Sequence, residues 1–199
     1  DWNLIPTIVA NLNYSIIEFD YKYCKYRSTE KHEQAENMPC DCQNQMYGKM
    51  VSAFYYGAKA LWWMSEQQMQ KYHQAFPFLE QIKNTVLSSV FNSDFFSEID
   101  YLRKKVQDVN REKYLVVGST SWIKGTQDGE ALCKKKNFDY EVLWDLPYKD
   151  MLERLSQAKA LVFLPKGKDT CPRLIIEAKL LGCDIITNEN VQHINEEWF

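Results

Sequence analysis

The stretch Lys159-Ala-Leu-Val-Phe-Leu-Pro-Lys-Gly-Lys-Asp-Thr-Cys-Pro-Arg-Leu-Ile-Ile-Glu-Ala-Lys-Leu-Leu-Gly-Cys-Asp-Ile-Ile-Thr187 decides the fold. Residues 160–164 are short and wholly apolar, which predicts a buried strand. Residues 172–181 space their apolar side chains as an amphipathic helix does, with Gly182 ending it, and 184–187 predict a second strand. The unit is strand, polar loop, helix, strand. In open α/β sheets, ligands bind beyond the carboxyl ends of the strands, where helix N-termini offer unpaired N–H groups and partial positive charge. Residues 167–172 occupy that place. Pro172 suits the first helical position, where its missing N–H costs nothing. Arg173 in the first turn is unfavourable against the helix dipole unless an anion lies nearby, so the loop predicts an anion site.

The same alternation extends upstream. Residues 114–118 read as a strand that runs into Gly118-Ser-Thr-Ser-Trp-Ile-Lys-Gly125, then a helix to about Lys136, a strand at 140–143 and a helix at 148–157. Small and hydroxyl residues let the backbone approach a ligand, and Lys124 brings a cation to the helix entrance. The order is neither that of a P-loop nor that of a dinucleotide fingerprint. Earlier still, Met46, Met50, Ala53, Phe54 and Gly57 recur at helical spacing, and 60–64 read as a buried strand. Ser65 caps a further helix with Gln68 as its capping-box partner. Residues 85–90 predict a strand, and Asn92 or Ser93 caps an amphipathic helix over 95–106. The class is α/β, with Rossmann-like parallel sheets and right-handed crossovers. A charged break at 108–113 predicts a domain boundary, giving 1–108 and 109–199.

At 199 residues, with 45% hydrophobic and 14% aromatic content, the chain can bury a sizeable core. A net charge of −3 gives no bulk attraction to nucleic acid or anionic lipid. No run approaches the ~18 apolar residues of a membrane span, and Asp1-Trp-Asn-Leu4 has no signal pattern. The expectation is a cytoplasmic protein with no nucleic-acid partner and no membrane span. The missing initiator Met and the end at Glu196-Glu-Trp-Phe199 read as a piece of a longer chain. Residues 20–27 interleave aromatics and cations, which reads as a tyrosine-lined polar loop near a cleft rather than a base-stacking surface. His73, alone in its helix, reads as a surface or partly packed side chain.

Six cysteines in a chain this long do not make a disulfide framework. Cys133 and Cys183 read as small buried hydrophobes. Cys24, His32, Cys40 and Cys42 are of the type zinc takes, but they lack the paired C-x2-C spacing of zinc knuckles. The spacing favours reduced thiols in a long loop, with a structural zinc as the alternative.

At the two strand-end loops the sequence resembles the retaining group 1 (family 4) glycosyltransferases, which have the two-domain GT-B fold. Gly118-Ser119-x4-Lys124-Gly125 is similar to their first motif, with Ser119 where the family has arginine. Pro165-Lys166-x2-Asp169-x7-Glu177-Ala178 is similar to their second, with Asp169 for its first glutamate. The resemblance implies Lys124 on the donor diphosphate, beside Gly118 and Ser119, Glu177 on the ribose and Asp169 on the transferred sugar. It places Thr170, Cys171 and Arg173 beside the phosphate, and Glu18 or Asp20 at a cleft position of the acceptor-side domain; Arg173 stands where the family usually has an apolar residue, and the expectation here is that it restores the charge lost at Ser119. The implied activity is transfer of a sugar from a UDP- or GDP-linked donor to an acceptor left open among a lipid-linked sugar, a glycan and a protein, with no metal or other cofactor required. A sugar-nucleotide epimerase and an inactive nucleotide-sugar-binding domain are the alternatives.

Overall fold

Short strands that alternate with helices pair in parallel, because each connection between neighbours is a helical crossover. The computed structural model, which describes residues 2–199, has two such sheets, and they belong to two units. One holds the chain up to Ser89 together with Gln192–Phe199, and the other is Val90–Val191.

The first unit runs α1 (Ile5–Asn11), β1 (Ile16–Glu18), α2 (Thr29–Glu36), α3 (Met46–Tyr56), β2 (Ala60–Trp63), α4 (Glu66–Ala75) and β3 (Lys83–Val86). Its parallel sheet has the order β1-β2-β3, with Ile16 opposite Leu61 and Trp62 opposite Thr85. Aromatic side chains fill its core. Tyr72 stacks on Tyr55 at 5.5 Å and on Tyr21 at 6.0 Å, and Tyr23 meets Tyr72 edge-on at 5.1 Å. Rings at such offsets add to what their buried area contributes. Tyr21 and Tyr23 are therefore core residues and do not line a cleft, which corrects the reading of 20–27 as a polar loop.

Ser65 caps α4 as expected, accepting from Gln68 N at 3.1 Å, but Gln68 returns its bond to Met64 N instead of to the cap residue. β3 lies earlier than its expected 85–90. Leu87 N still reaches Trp63 O at 2.8 Å, and then Ser88 turns into the left-handed region at φ 56, where a strand cannot continue. The last residues close on this unit: Ser65 Oγ donates to the buried Gln192 Oε1 at 2.7 Å, and Gln192 Nε2 bonds the Tyr21 hydroxyl.

The second unit runs α5 (Ser93–Lys105), β4 (Tyr114–Val117), α6 (Thr126–Lys136), β5 (Tyr140–Leu143), α7 (Tyr148–Gln157), β6 (Ala160–Val162), α8 (Arg173–Leu180) and β7 (Asp184–Ile186). Its four parallel strands lie in the order β5-β4-β6-β7. β6 is buried throughout, as the apolar run at 160–164 requires, and Val116, Val162 and Cys133 form a core between sheet and helices. These compact units divide elsewhere than the charged break at 108–113. α5 buries Phe95, Ile99 and Leu102 and packs on α7, where Lys105 pairs with Glu153, so it belongs to the second unit. Among the described residues no cysteine is in a disulfide, and no helix is long and apolar enough to cross a membrane.

Candidate functional site

The strand order places a reversal inside the second unit. From β4 the chain steps outward to β5, then crosses back to β6 on the other side of β4 and continues to β7. The carboxyl ends of β4 and β6 thus flank the point where the winding reverses, the place in an open α/β sheet where the following loops diverge and leave a crevice. The loops at 118–125 and 163–172 are the ones that follow those two strands.

Local chemistry fixes the first loop tightly. Thr126, buried at the start of α6, donates its hydroxyl to Val117 O at 2.8 Å and accepts from Ser119 N at 3.0 Å. Ser119 Oγ in turn accepts from Ser121 N at 3.1 Å, so Ser119 shapes the loop. Gly118 and Gly125 are required by close approach: an added Cβ would lie 2.4 Å from Leu143 O at the first and 1.8 Å from Leu164 O at the second. Gly125 is also left-handed, at φ 67. The two loops are laced together by Lys166 N donating to Ile123 O at 2.8 Å. Asn188 and Asn190 both donate side-chain N–H groups to Pro165 O, at 3.0 and 2.8 Å, and Asp169 N donates to Asn190 O at 2.8 Å.

On this frame Lys124 and Asp169 meet. Nζ lies 2.6 Å from Oδ2, with the lysine side chain 40% and the aspartate 15% exposed. The Lys124 ammonium also lies 5.6 Å from the centre of the Phe163 ring. Thr170 is buried and Cys171 half-buried in the turn that leads into α8. Pro172 serves as the cap residue before α8 rather than its first helical position, and its carbonyl accepts from Ile175 N at 2.9 Å.

Glu177 lies on the buried face of α8 at 2% exposure. Burial raises its carboxyl above the ordinary value, offset in part by the Tyr148 hydroxyl, which donates to Oε1 at 2.8 Å, and by Arg173 at 3.6 Å. Arg173 therefore has an anion beside it in its own helix, which answers the dipole objection to a cation in the first turn. Its guanidinium lies 4.7 Å from the Phe91 ring centre and its side chain is 56% exposed. Arg173, Tyr148, Lys149, Phe91, Asn92 and Glu98 are among the residues that line an open cavity of about 680 Å³. Burial and the neighbouring Glu177 push the Tyr148 phenol up to about 12, so it stays a donor at any working pH.

The sequence-predicted residues thus form two clusters in the second unit, Lys124 with Asp169 and Arg173 with Glu177. Tyr148, Phe91 and Lys149 carry no motif signal. Pro147-Tyr-Lys-Asp150 reads only as a helix start, and the contact of Tyr148 with Glu177 bridges 29 residues. In the first unit Glu18 is buried and Asp20 pairs with Arg27 at 2.8 Å.

No family pattern and no curated protein matches this chain. Its fold is similar to that of solved GT-B glycosyltransferases. Anabaena HepE, solved with UDP and glucose, aligns with a TM-score of 0.57 and 13% identity over 94% of this chain and 57% of that one. Sucrose-phosphate synthase from Thermosynechococcus elongatus aligns with a TM-score of 0.61 and 14% identity over 94% of this chain and 52% of that one. A UDP-forming trehalose-phosphate synthase from Burkholderia xenovorans aligns at 0.58 and 8%, over 97% and 57%. The chain spans little more than half the length of each. At these identities the likeness is one of fold: α/β, with Rossmann-like parallel sheets.

Proposed function

We propose that this chain is the donor-binding and partial acceptor-side portion of a retaining glycosyltransferase that takes a sugar from a UDP- or GDP-linked donor. The observation that carries the reading is the pairing of Lys124 with Asp169 at the winding reversal of the second sheet, at 2.6 Å, beside a helix start that carries Arg173 and the buried Glu177. A nucleoside diphosphate leaving group develops negative charge as the glycosidic bond breaks, and preorganised cations and N–H groups stabilise that charge. In this reading Lys124 serves the diphosphate, with Gly118 and Ser119 letting it approach the loop. Thr170, Cys171 and Arg173 lie by the phosphate at the start of α8. Glu177 accepts from the ribose hydroxyls, oriented by Tyr148, and Asp169 contacts the transferred sugar. The acceptor is left open among a glycan, a lipid-linked sugar and a protein, and Asp20, half-buried where Glu18 is fully buried, is the candidate on the acceptor side.

The fold neighbours support a nucleotide-sugar ligand, since one of them was solved with UDP-glucose and another is UDP-forming. A second reading, nucleotide-sugar binding without transfer, draws on Ser119 and on the neutralisation of Lys124 by Asp169. Calorimetric titration with UDP, GDP and ADP tests the pocket. One nucleotide should bind, and both Lys124→Ala and Glu177→Ala should weaken it. Binding that neither substitution changes would remove the donor reading. Donor turnover by the protein separates transfer from binding alone.

A further inference from the structure

We propose that Cys24, His32, Cys40 and Cys42 bind one zinc ion in a closed structural site. Their four ligand atoms lie within 4.8 Å of one another. His32 Nδ1 is 3.3 Å from Cys42 Sγ and 3.7 Å from Cys24 Sγ. A tetrahedron with Zn–S of ~2.3 Å and Zn–N of ~2.0 Å has edges of roughly 3.5–3.8 Å, so an ion at the centre needs only small side-chain adjustments. Cys24, His32 and Cys42 are buried and Cys40 is half-buried, which leaves an enclosed site.

The surrounding structure has the character of a metal-pinned segment. α2 buries only Thr29 and His32, so no apolar face holds it to the unit. Its start is fixed by Ser28, which caps Lys31 N at 3.2 Å, and by Lys71 Nζ on Thr29 Oγ1 at 2.6 Å. Its middle has His32. Left-handed residues stand on both sides of α2, Arg27 at φ 58 and Asn37 at φ 54, and they turn the chain so that the cysteines from the two flanks face the imidazole. Gly48 lets α3 back directly onto the ligand turn, since a Cβ there would lie 2.1 Å from Cys42 O.

Three thiolates and one imidazole in tetrahedral array select zinc among the common divalent ions, and four protein ligands leave no position for a substrate water. Binding displaces the thiol protons, including the one Cys24 Sγ directs at Ser28 O across 3.3 Å. The zinc would fix residues 20–45 just beyond the carboxyl end of β1, where Asp20 and Arg27 pair. The inference stands apart from the sugar-donor reading, because every residue in it lies in the first unit.

The test measures metal in the whole chain by mass spectrometry and by the absorption of the cobalt-exchanged protein. The expected results are about one zinc per chain, and a cobalt spectrum with thiolate charge-transfer bands and the intense visible bands of a tetrahedral ion. Cys40→Ser and His32→Ala should each lower zinc affinity at least about tenfold in chelator competition, and Cys133→Ala, in the second unit, should leave it unchanged. Should a ligand variant fail to fold, the cobalt spectrum of the unaltered chain decides. A chain that takes up no zinc on refolding with it, a weak octahedral cobalt spectrum, or folded ligand variants that keep full affinity would each overturn the proposal.

Discussion

The ammonium of Lys124 lies 2.6 Å from a carboxylate oxygen of Asp169, joining the loops that follow β4 and β6. An incoming diphosphate must compete with Asp169 for that cation. Replacing Asp169 with Asn removes the competing charge and keeps the shape. The pair is partly exposed, so its net worth is modest, about 0.5–1 kcal/mol. Asp169→Asn should therefore tighten nucleoside diphosphate binding by roughly twofold to fivefold, while donor turnover falls. Calorimetry with and without added salt checks it, since the gain should shrink as ionic strength rises. Weaker binding in the variant would mean that Asp169 acts by holding the loop.

Gly125→Ala should be among the most damaging single changes in the second unit. The residue is left-handed at φ 67, and a Cβ would sit 1.8 Å from Leu164 O in the loop it packs against. Left-handed strain and backbone displacement together should cost about 2–4 kcal/mol in urea unfolding. Nucleotide binding should fall with it, because the displaced loop carries Lys124. A variant as stable as the original would show that the two loops do not pack this closely.

Tyr148→Phe tests the support of Glu177. The phenol donates at 2.8 Å to a carboxylate that burial already drives toward its neutral form. A carboxyl raised in the folded chain makes stability fall as pH rises above its ordinary value of 4.5. Removing the donor should steepen that fall, with a loss of about 1 kcal/mol at pH 8 that shrinks toward pH 4.5, where a raised carboxyl is more than half protonated. Urea unfolding at pH 8 and pH 4.5 reads the difference, and an equal loss at both would point to packing instead.

Much of the second unit is legible in the sequence because its signals are local. α7 falls at the residues its periodicity gives, and Gly182 ends α8 in the left-handed conformation at φ 74. Lys124 and Asp169 can be placed on one sheet edge from strand order, but their contact depends on how Pro165, Asn188 and Asn190 fold the second loop over the first. α2 is missed because Thr-Glu-Lys-His-Glu-Gln-Ala-Glu has no apolar period to announce a helix. Tyr21 and Tyr23 look like surface residues because cations separate them, yet both rings turn into the core. Similarly, Cys24, His32, Cys40 and Cys42 are recognisable as residue types, while their convergence depends on Arg27 and Asn37 adopting φ values few residues take.

Glu18 offers the clearest pH signature. It ends β1 at 1% exposure, and burial pushes its carboxyl up to about 7 despite the bond from Asp20 N and the charge of Lys22. Its neighbour inside the core is the buried Tyr72 hydroxyl, which favours the carboxylate and offsets only part of the cost of burial. With the folded value raised above 4.5, the folded chain holds a proton that the unfolded chain has lost, so stability declines between pH 4.5 and about 7 and levels off above. Glu18→Gln keeps an acceptor for Asp20 N and removes the charge. The variant should match the original near pH 5 and exceed it by up to about 3 kcal/mol at pH 8. Urea unfolding across that range, in zinc-buffered solution, follows the gap. A gap that is constant with pH would mean that Glu18 is solvated or paired as a carboxylate, and that its buried position does not govern its proton.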